Sequence, residues 1–330
     1  MQKILIIQLR QLGDVMMTTP VVRQLRKLFP AAQIDFMTEK LGSNVYRFNS
    51  HISNLKIIPR KTGVVEMFRL TNELRNEKYD LVVDCFSNPK SAQITFLTGA
   101  RERIGFALRW RGYAYSQTVK LDNHLEYSAV SKLRLIEKFG ADLQDFKIEL
   151  PVSAEHHLKA TQFAENLGFD NKTIAFCTVS RRDYKVWNPD YFAEAGDWLI
   201  ARGYKLFFVY GPGEKDLALD VYNRLQNKDN TIIDYPMPDV LELRAILEKC
   251  VLYVGNDGGN KHLAICAGIP TVTVFGSIRW QNWTPPGSQT DHAVYKNMDC
   301  YDQCPRCKNM RCYKELTARE LIATLEEVLG

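Results

Sequence analysis

Two successive series of short β-branched runs and amphipathic stretches fill this chain, and a break near residues 150–170 separates them. Alternation of this kind predicts, in each series, a parallel sheet covered by helices. The predicted strands are residues 4–8, 34–37, 55–58, 81–84 and 103–106, then 173–177, 205–210, 231–233, 252–255 and 271–275. The predicted helices are residues 15–28, 64–77, 89–98 and 125–139, then 154–167, 189–202, 214–226, 239–249 and 260–267.

The fold class predicted from this pattern is α/β, with two Rossmann-like domains whose parallel sheets face a central cleft. The chain has 330 residues, and a single hydrophobic core stops growing near roughly 250–300 residues. We therefore predict domains at residues 1–160 and 161–330, with the last helix packing back on the first domain. Ligands of open α/β sheets bind outside the carboxyl ends of the strands, so the loops there should carry the chemistry.

The composition, with 45% hydrophobic and 25% charged residues, is that of an ordinary globular protein. The N-terminus reads Met1-Gln2-Lys3 before the first predicted strand and lacks the apolar core of a signal peptide. No run approaches the roughly 18 apolar residues of a membrane span. A cytoplasmic protein is expected, in which the eight cysteines are reduced.

Charge is distributed unevenly along the chain. Residues 1–150 carry 23 Lys and Arg against 15 Asp and Glu, whereas residues 151–330 carry 20 against 23. A basic first half suits an anionic partner such as nucleic acid, an acidic glycan or an anionic membrane surface. A chance imbalance on solvated helix faces gives the same count. No basic stripe interleaved with aromatic residues is evident, which disfavours nucleic acid.

The first loop of interest follows the first predicted strand and contains Gly13 and Asp14. The glycine permits a tight turn close to a ligand, and the carboxylate comes at the mouth of the predicted cleft. The Gly-x-Gly-x-x-Gly spacing of a dinucleotide site is absent. Since Asp is also a favoured N-cap residue, the position alone leaves catalysis and helix capping as equal alternatives for Asp14.

Two further loops follow predicted strands of the second half. The loop with Ser180, Arg182 and Lys185 contains three cations in six residues, which suits a diphosphate clamp. The Gly-Pro-Gly turn before Glu214 brings a carboxylate suited to ribose hydroxyls close to the ligand crevice. A solvated basic loop and ordinary turn chemistry are the respective alternatives.

The most informative loop follows the strand predicted at residues 252–255 and reads Asp257-Gly258-Gly259-Asn260-Lys261-His262. A glycine pair turns the chain there, and an apolar helix begins. The free N–H groups and the positive dipole end of that helix predict a phosphate site. Lys261 and His262 in the first turn would add donors, although a lone histidine on a helix is usually a structural residue.

Taken in order, these loops resemble glycosyltransferase family 9, the ADP-heptose:lipopolysaccharide heptosyltransferases. The matching elements are Gly13-Asp14-Val15 with Thr18-Thr19-Pro20, residues 84–91 and 103–106, Arg182-Asp183-Tyr184-Lys185-Val186-Trp187, residues 257–264, Ala267-Gly268-Ile269-Pro270 and Phe275-Gly276. Each element alone is weak, but the ordered set spans almost the whole chain. The resemblance implies the GT-B fold and an inverting, metal-independent transfer of L-glycero-D-manno-heptose from ADP-heptose to the inner core of lipopolysaccharide.

The resemblance also implies roles for individual residues. Asp14 matches the general base of the family, Lys185 its contact to the donor phosphates and Glu214 its contact to the nucleoside. The full donor-binding set is Ser180, Arg182, Lys185, Glu214, Asp257, Gly258, Gly259, Asn260, Lys261 and His262. The chain departs from the family at Gly258, where the family has Ser or Thr. One hydroxyl contact to the diphosphate is thereby lost, and we expect the charge of Lys261 to compensate.

No cofactor is expected for catalysis, since the sequence contains no Asp-x-Asp motif for a metal ion. The N-terminus of the helix at Gly259 and the Lys185 ammonium would stabilise the leaving diphosphate. Asp14 would deprotonate the acceptor hydroxyl, and because it belongs to the other half of the chain, catalysis should require closure. In this family the acceptor is the anionic lipopolysaccharide core at the cytoplasmic face of the inner membrane, so the resemblance also implies peripheral contact with that membrane surface. The candidate acceptor contacts are Arg60, Lys61, Lys90, Arg109 and Arg111.

Four cysteines lie close together near the C-terminus, at Cys300, Cys304, Cys307 and Cys312. In a reducing compartment this spacing suits a structural Zn or Fe site. Reduced thiols that pack or lie exposed are the alternative. Both interpretations stay open at the level of the sequence.

Two other functions are compatible with the same loops. One is a GT-B transferase or epimerase that uses another nucleotide sugar, and the other is an inactive nucleotide-binding module. The presence of both a candidate base and a candidate phosphate site disfavours the inactive module. Preference for a UDP-sugar would favour the first alternative.

Overall fold

The computed structural model describes residues 1–121, 125–298, 300 and 310–330. The chain divides into two compact units, Met1–Pro151 and Val152–Gly330. The helix Ala154–Asn166 spans the boundary predicted at residue 160 and belongs to the second unit. Each unit contains a parallel six-stranded sheet, which confirms the predicted α/β class.

The strands of the first unit are β1 (Lys3–Ile7), β2 (Gln33–Glu39), β3 (Asn54–Ile58), β4 (Leu81–Asp84), β5 (Glu102–Phe106) and β6 (Gln117–Val119). Its helices are α1 (Leu12–Met16), α2 (Thr19–Leu28), α3 (Ser43–Tyr46), α4 (Val64–Asn76), α5 (Pro89–Leu97) and α6 (Ser128–Leu133). A 3-10 helix, Arg134–Phe139, follows α6. The strand order is β3-β2-β1-β4-β5-β6.

The strands of the second unit are β7 (Thr173–Cys177), β8 (Lys205–Phe208), β9 (Thr231–Ile232), β10 (Leu252–Asn256), β11 (Thr271–Phe275) and β12 (Asp291–Tyr295). Its helices are α7 (Ala154–Asn166), α8 (Pro189–Ala201), α9 (Lys215–Arg224), α10 (Val240–Leu247), α11 (Gly259–Ala267), α12 (Arg311–Lys314) and α13 (Ala318–Leu329). The strand order β12-β11-β10-β7-β8-β9 repeats that of the first unit. Helix α13 packs against α8, β11 and β12 of its own unit.

The single helix predicted at residues 15–28 is wrong, because the structure has two helices there, α1 and α2. Pro20 has no N–H group with which to continue the hydrogen bonds of α1. The hydroxyls of Thr18 and Thr19 donate instead to the carbonyls of Val15 and Met16, at 2.5 and 2.8 Å. Such side-chain bonds to the backbone compete with helix formation and separate the two helices.

The strand order fixes where a ligand should bind in each unit. In the first sheet, successive strands are added on one side of β1 up to β3 and then on its other side from β4 onward, so the topological switch point lies between β1 and β4. In the second sheet it lies between β7 and β10. In open α/β sheets the binding crevice lies outside the carboxyl ends of the strands at this point. A ligand is therefore expected at the loops after β1 and β4 in the first unit and at the loops after β7 and β10 in the second.

Candidate active site

At the carboxyl edge of the second sheet, Lys185 and Asp257 form an ion pair, with Lys185 Nζ 2.5 Å from Asp257 Oδ2. Lys185 lies in the loop after β7, Asp257 directly follows β10, and these two strands are hydrogen-bonded neighbours. The side chains are 17% and 3% exposed, respectively. The structure therefore brings together two residues that the sequence predicts for one diphosphate site.

Asp257 is a buried anion with an unused acceptor. Burial alone would raise the pKa of Asp257, but the nearby cations Lys185 and Lys261 hold it below its usual value. The carboxylate is therefore ionised at neutral pH. Among the described residues, its Oδ1 atom is buried and has no hydrogen-bond partner. Because buried polar atoms are normally paired, Oδ1 is suited to accept a hydrogen bond from a ligand.

The N-terminus of α11 lies directly after this carboxylate. Its N-cap residue, Gly258, provides no side-chain cap, and a β-carbon built on Gly258 would contact nothing within 4 Å. The first N–H groups of an α-helix have no intrahelical partners and carry the positive end of its dipole. This helix end thus has the geometry expected of a phosphate site, with room beside Gly258 for the oxygens of a ligand.

Lys261, in the first turn of α11, is fully buried. Its Nζ donates to Trp283 O at 2.8 Å and to Thr284 Oγ1 at 2.9 Å, and lies 4.7 Å from the ring centroid of Phe275. Burial lowers the pKa of Lys261 to about 8, and Asp257 opposes that shift. Lys261 holds the loop at residues 283–284, and the diphosphate contact predicted for it stays a prediction.

His262 is buried next to the same loop, and its ring centroid is 5.9 Å from that of Trp283. Burial, followed by the charge of Lys261, lowers the pKa of His262 to about 3. The imidazole is consequently neutral at physiological pH. Its Nδ1 atom is buried without a partner in the part of the chain that the structure describes. His262 can therefore exchange a hydrogen bond with a ligand but cannot supply a positive charge.

The loop that carries Lys185 is fixed by the buried Trp187. The backbone N–H of Trp187 donates to Asn256 Oδ1 at 3.1 Å, and its indole Nε1 donates to Leu316 O at 3.0 Å. Asn256 in turn donates through Nδ2 to Thr178 O at 2.8 Å. These bonds hold the ends of β7 and β10 together, and with them the two partners of the ion pair.

A second support comes from Tyr313, whose hydroxyl donates to Lys185 O at 3.2 Å. The ring of Tyr313 lies against Gly276, where a β-carbon would approach it to 2.4 Å. In the sequence, Gly276 is recognisable only as part of a family element, and Tyr313 and Leu316 are not predicted as site residues. No local pattern near the C-terminus could have identified these two residues.

The remaining donor candidates also follow strands of the second sheet. Glu214 precedes α9 and accepts a hydrogen bond from Gly211 N at 2.8 Å, which folds its carboxylate over the Gly-Pro-Gly turn. Ser180 Oγ accepts from Arg182 N at 3.4 Å, and the Arg182 side chain is exposed. Asn260 Nδ2 donates to Cys177 Sγ at 3.4 Å. All of these side chains lie at the edge where Lys185 and Asp257 meet.

In the first unit, Asp14 lies in the first turn of α1, directly beyond the carboxyl end of β1, and is partly exposed. The N-cap residue of α1 is Gln11, so Asp14 is not the N-cap. Val15 and Met16 are buried beneath the helix, and a β-carbon at Gly42 would lie 2.9 Å from Val15. This close packing fixes α1 and the carboxylate that it carries.

A buried carboxylate organises the neighbouring loop after β4. Asp84 Oδ1 accepts from the backbone N–H groups of Phe86 and Ser87, and Oδ2 accepts from Tyr115 OH at 2.8 Å. Burial raises the pKa of Asp84, and these hydrogen bonds oppose the shift. Ser87 adopts a left-handed backbone with φ 49°. Such strain persists where the surrounding structure enforces it, here through Asp84.

Two of the predicted acceptor contacts connect this loop to its neighbours. Lys90 Nζ donates to Pro59 O at 2.8 Å and to Arg60 O at 3.2 Å, and burial lowers the pKa of Lys90. Arg111 Nη1 donates to Ser87 O at 2.9 Å. The loops after β3, β4 and β5 therefore form one edge. The other acceptor candidates are exposed on it: Arg60, Lys61 and Arg109.

Two of the four cysteines proposed as a metal site, Cys304 and Cys307, lie outside the described residues. Cys300 is partly buried and Cys312 is buried. Within residues 1–121, 125–298, 300 and 310–330, no group of three or more His, Cys, Asp or Glu side chains is arranged to hold a metal ion. The structural metal site stays a prediction. In the same described ranges, every helix is too short or too polar to cross a membrane.

Comparison with known proteins identifies the family and the fold of this chain. The model of glycosyltransferase family 9 (heptosyltransferase) matches residues 67–314. Lipopolysaccharide heptosyltransferase 3 of Escherichia coli is 25% identical over 336 residues, covering 96% of this chain and 96% of the relative. A solved family 9 glycosyltransferase from Veillonella parvula matches with a TM-score of 0.83 and 22% identity, over 99% of this chain and 97% of that one. The E. coli ADP-heptose lipopolysaccharide heptosyltransferase II matches with a TM-score of 0.78 and 20% identity, over 99% and 98%. Because both solved structures are less than 25% identical to this chain, their similarity establishes the GT-B fold alone.

Proposed function

Because this chain belongs to glycosyltransferase family 9, we propose that it transfers L-glycero-D-manno-heptose from ADP-heptose to the inner core of lipopolysaccharide. The observation that carries the proposal is the convergence of Lys185, Asp257 and the uncapped N-terminus of α11 at one sheet edge. The full-length similarity to an E. coli lipopolysaccharide heptosyltransferase supports the choice of sugar and acceptor.

In the proposed reaction, the diphosphate of the donor binds at the N-terminus of α11. The helix N–H groups and the Lys185 ammonium stabilise the negative charge that develops as ADP leaves. Lys185 is already paired with Asp257 at 2.5 Å, so the phosphate oxygens share its ammonium with that carboxylate or displace it. These groups supply the positive charge in a reaction that we propose to be independent of a metal ion.

Asp14 is the proposed general base. It removes the proton of the attacking acceptor hydroxyl while ADP departs from the opposite face of the sugar, which inverts the anomeric configuration. Its partial exposure at the carboxyl end of β1 supports this role. General base catalysis contributes typically about 10²- to 10⁴-fold, so Asp14→Asn should lower kcat by about that factor and leave ADP affinity nearly unchanged. A kcat close to that of the wild type would remove Asp14 from the mechanism.

The proposed acceptor is anionic, and the basic edge of the first unit suits it. Arg60, Lys61 and Arg109 are exposed there, while Lys90 and Arg111 also hold the loops in place. We propose that the reaction takes place at the cytoplasmic face of the inner membrane, where such an acceptor is presented.

A donor screen tests the assignment. Purified protein is incubated with a deacylated lipopolysaccharide acceptor and ADP-heptose, UDP-sugars or GDP-sugars, and the products are identified by mass spectrometry. Transfer from ADP-heptose is the expected result. Preference for a UDP-sugar would overturn the choice of heptose and leave the family unchanged. Turnover of a nucleotide sugar without any acceptor would instead favour the epimerase alternative.

A further inference from the structure

Helix α4 has apolar side chains that do not pack against the core of the first unit. One side of the helix packs on the core of the first unit through Met67, Leu70 and Leu74. Three further apolar residues at its N-terminal end, Val64, Val65 and Phe68, are 88%, 64% and 65% exposed. Phe68 lies four positions after Val64 and three after Val65, and residues at both spacings are neighbours on a helical surface. Apolar residues exposed singly are ordinary, but three of them on one turn of a helix form a patch that needs an explanation.

Cations border this apolar patch. The segment 60–69 contains Arg60, Lys61 and Arg69, all of them exposed. Its one carboxylate, Glu66, accepts a hydrogen bond from the backbone N–H of Gly63 at 3.0 Å. Within residues 60–69, the apolar patch is therefore accompanied by three exposed cations and one carboxylate.

The loop after β5 presents the same combination of side chains. Trp110 is 80% exposed, and the guanidinium of Arg109 lies 5.3 Å from its ring centroid. Leu108 and Tyr113 are also exposed. Trp110 has a left-handed backbone with φ 67°, which is uncommon for a bulky residue. Strained residues cluster at functional sites, so the outward position of this indole points to a binding role.

Hydrogen bonds connect these two segments to the same turn. Lys90, at the start of α5, donates to Pro59 O and Arg60 O, immediately before the patch of α4. Arg111, next to Trp110, donates to Ser87 O in the loop that precedes α5. The two apolar and basic segments therefore flank one loop at the carboxyl edge of the first sheet.

We propose that residues 60–69 and 108–113, here called the docking surface, bind the surface of an anionic lipid bilayer. Val64, Val65 and Phe68 would enter the boundary between headgroups and acyl chains, which is also where Trp and Tyr accumulate. Lys and Arg near the surface would attract anionic lipids. A soluble anionic glycan would use the cations but not the exposed aliphatic side chains. The inference rests on the proposed function in that an acceptor anchored in a membrane gives the docking its purpose.

Vesicle sedimentation tests the docking surface with the full-length protein. Vesicles are made of phosphatidylcholine alone or of phosphatidylcholine mixed with phosphatidylglycerol. The wild type should bind the anionic vesicles more tightly than the neutral ones, and salt should weaken that binding. The triple variant Val64→Ser, Val65→Ser, Phe68→Ser should bind anionic vesicles about tenfold less tightly or worse. The matched control replaces Leu158 and Leu217 by Ser, since both are exposed leucines on helices of the second unit, and it should bind as the wild type does.

The emission of Trp110 provides a second measurement that needs no change to α4. The difference spectrum between the wild type and Trp110→Phe should shift to the blue on anionic vesicles. Absence of a shift, or unchanged vesicle affinity of the triple variant, overturns the proposal. So does a light-scattering result in which the triple variant loses self-association while its vesicle binding is unchanged, because the surface would then join two copies of the chain.

Activity on a deacylated, soluble acceptor separates this inference from the proposed function. The triple variant should retain wild-type kcat on that acceptor, because none of its substitutions touches a proposed catalytic or binding residue. Loss of vesicle binding with retained transfer supports the docking surface. Failure of the wild type to transfer heptose to any acceptor, with intact vesicle binding, would overturn the proposed function and leave the docking surface standing.

Discussion

Replacing Asp257 by Asn should lower the stability of the second unit without weakening nucleotide binding. The amide has nearly the shape of the carboxylate but removes the charge that pairs with Lys185 at 2.5 Å. Lys261 is also close enough to interact electrostatically with Asp257, and it is fully buried. In the Asn variant both cations lose the anion that compensates their charge. Because Lys185 is largely buried and Lys261 is fully buried, neither can regain full hydration by a small movement.

The size of the effect follows from burial. Removing one partner of a buried ion pair costs about 3–5 kcal/mol, and the lower end applies because Lys185 keeps some contact with solvent. Deprotonation of Lys261 also reduces the loss of stability. Burial lowers its pKa to about 8 against the opposing effect of Asp257, so without Asp257 it loses its proton more readily. A loss of about 3 kcal/mol corresponds to a fall of roughly 6–12 °C in the transition of a domain of this size.

Nucleotide affinity should behave differently in the same variant. The diphosphate of ADP carries the same sign of charge as Asp257 and competes with it for Lys185. Asn removes that competition and retains an Oδ1 acceptor at the same position. We therefore expect the Kd for ADP to be unchanged, or lower by up to about tenfold.

Scanning calorimetry and titration calorimetry with ADP measure the two effects separately. Asp234→Asn is the matched control, because Asp234 pairs with Lys215 but is 80% exposed, and such pairs contribute about 0–1 kcal/mol. A double-mutant cycle with Lys185→Met isolates the coupling between Lys185 and Asp257. The reasoning is refuted if Asp257→Asn unfolds at the temperature of the control, or if it weakens ADP binding with no loss of stability.

Gly258→Ser should be tolerated, because a β-carbon at that position contacts nothing within 4 Å. It should also tighten ADP binding by restoring a hydroxyl beside α11; weaker binding in titration calorimetry would contradict the proposed phosphate position. Lys261→Met should change the dependence of stability on pH. The pKa of Lys261 is lowered from 10.5 to about 8 in the folded protein, so the unfolded state binds more protons between these values. The stability gained by deprotonation is complete above pH 10.5 and is lost as the pH falls through about 8. Equal slopes of unfolding free energy against pH in wild type and variant would contradict this. Elemental analysis of the full chain tests the cysteine site, and less than about one tenth of an equivalent of Zn or Fe would exclude it.

The central strands are predictable from the sequence because helices cover both faces of each sheet. Continuous apolar runs mark such strands, and β4, β7 and β11 have the predicted bounds. The edge strands β6 and β12 are missed. Their residues are mostly exposed or only partly buried, so they lack the apolar run that identifies a strand.

The candidate site is predictable only in part, for physical reasons. Lys185 and Asp257 follow neighbouring strands, and the carboxyl ends of parallel strands meet at one edge. The direction in which the Lys261 side chain points cannot be predicted in this way. Successive side chains along a helix are rotated by about 100°, so the residue at which the helix begins determines the face on which Lys261 lies. The contacts of Tyr313 and Leu316 span 128 and 129 positions, and a local pattern contains no trace of them.

The contact between Tyr313 and Gly276 makes residues near the end of the chain a support of the proposed donor site. Tyr313 supports the carbonyl of Lys185, and residue 276 acts as a spacer whose size sets how far the tyrosine stands from that carbonyl. Substitutions at either position would reposition the Lys185 ammonium without touching a ligand. Libraries that aim to change donor preference should therefore vary residues 276 and 313 together with the loop at 180–185, and C-terminal fusions should be checked for their effect on turnover.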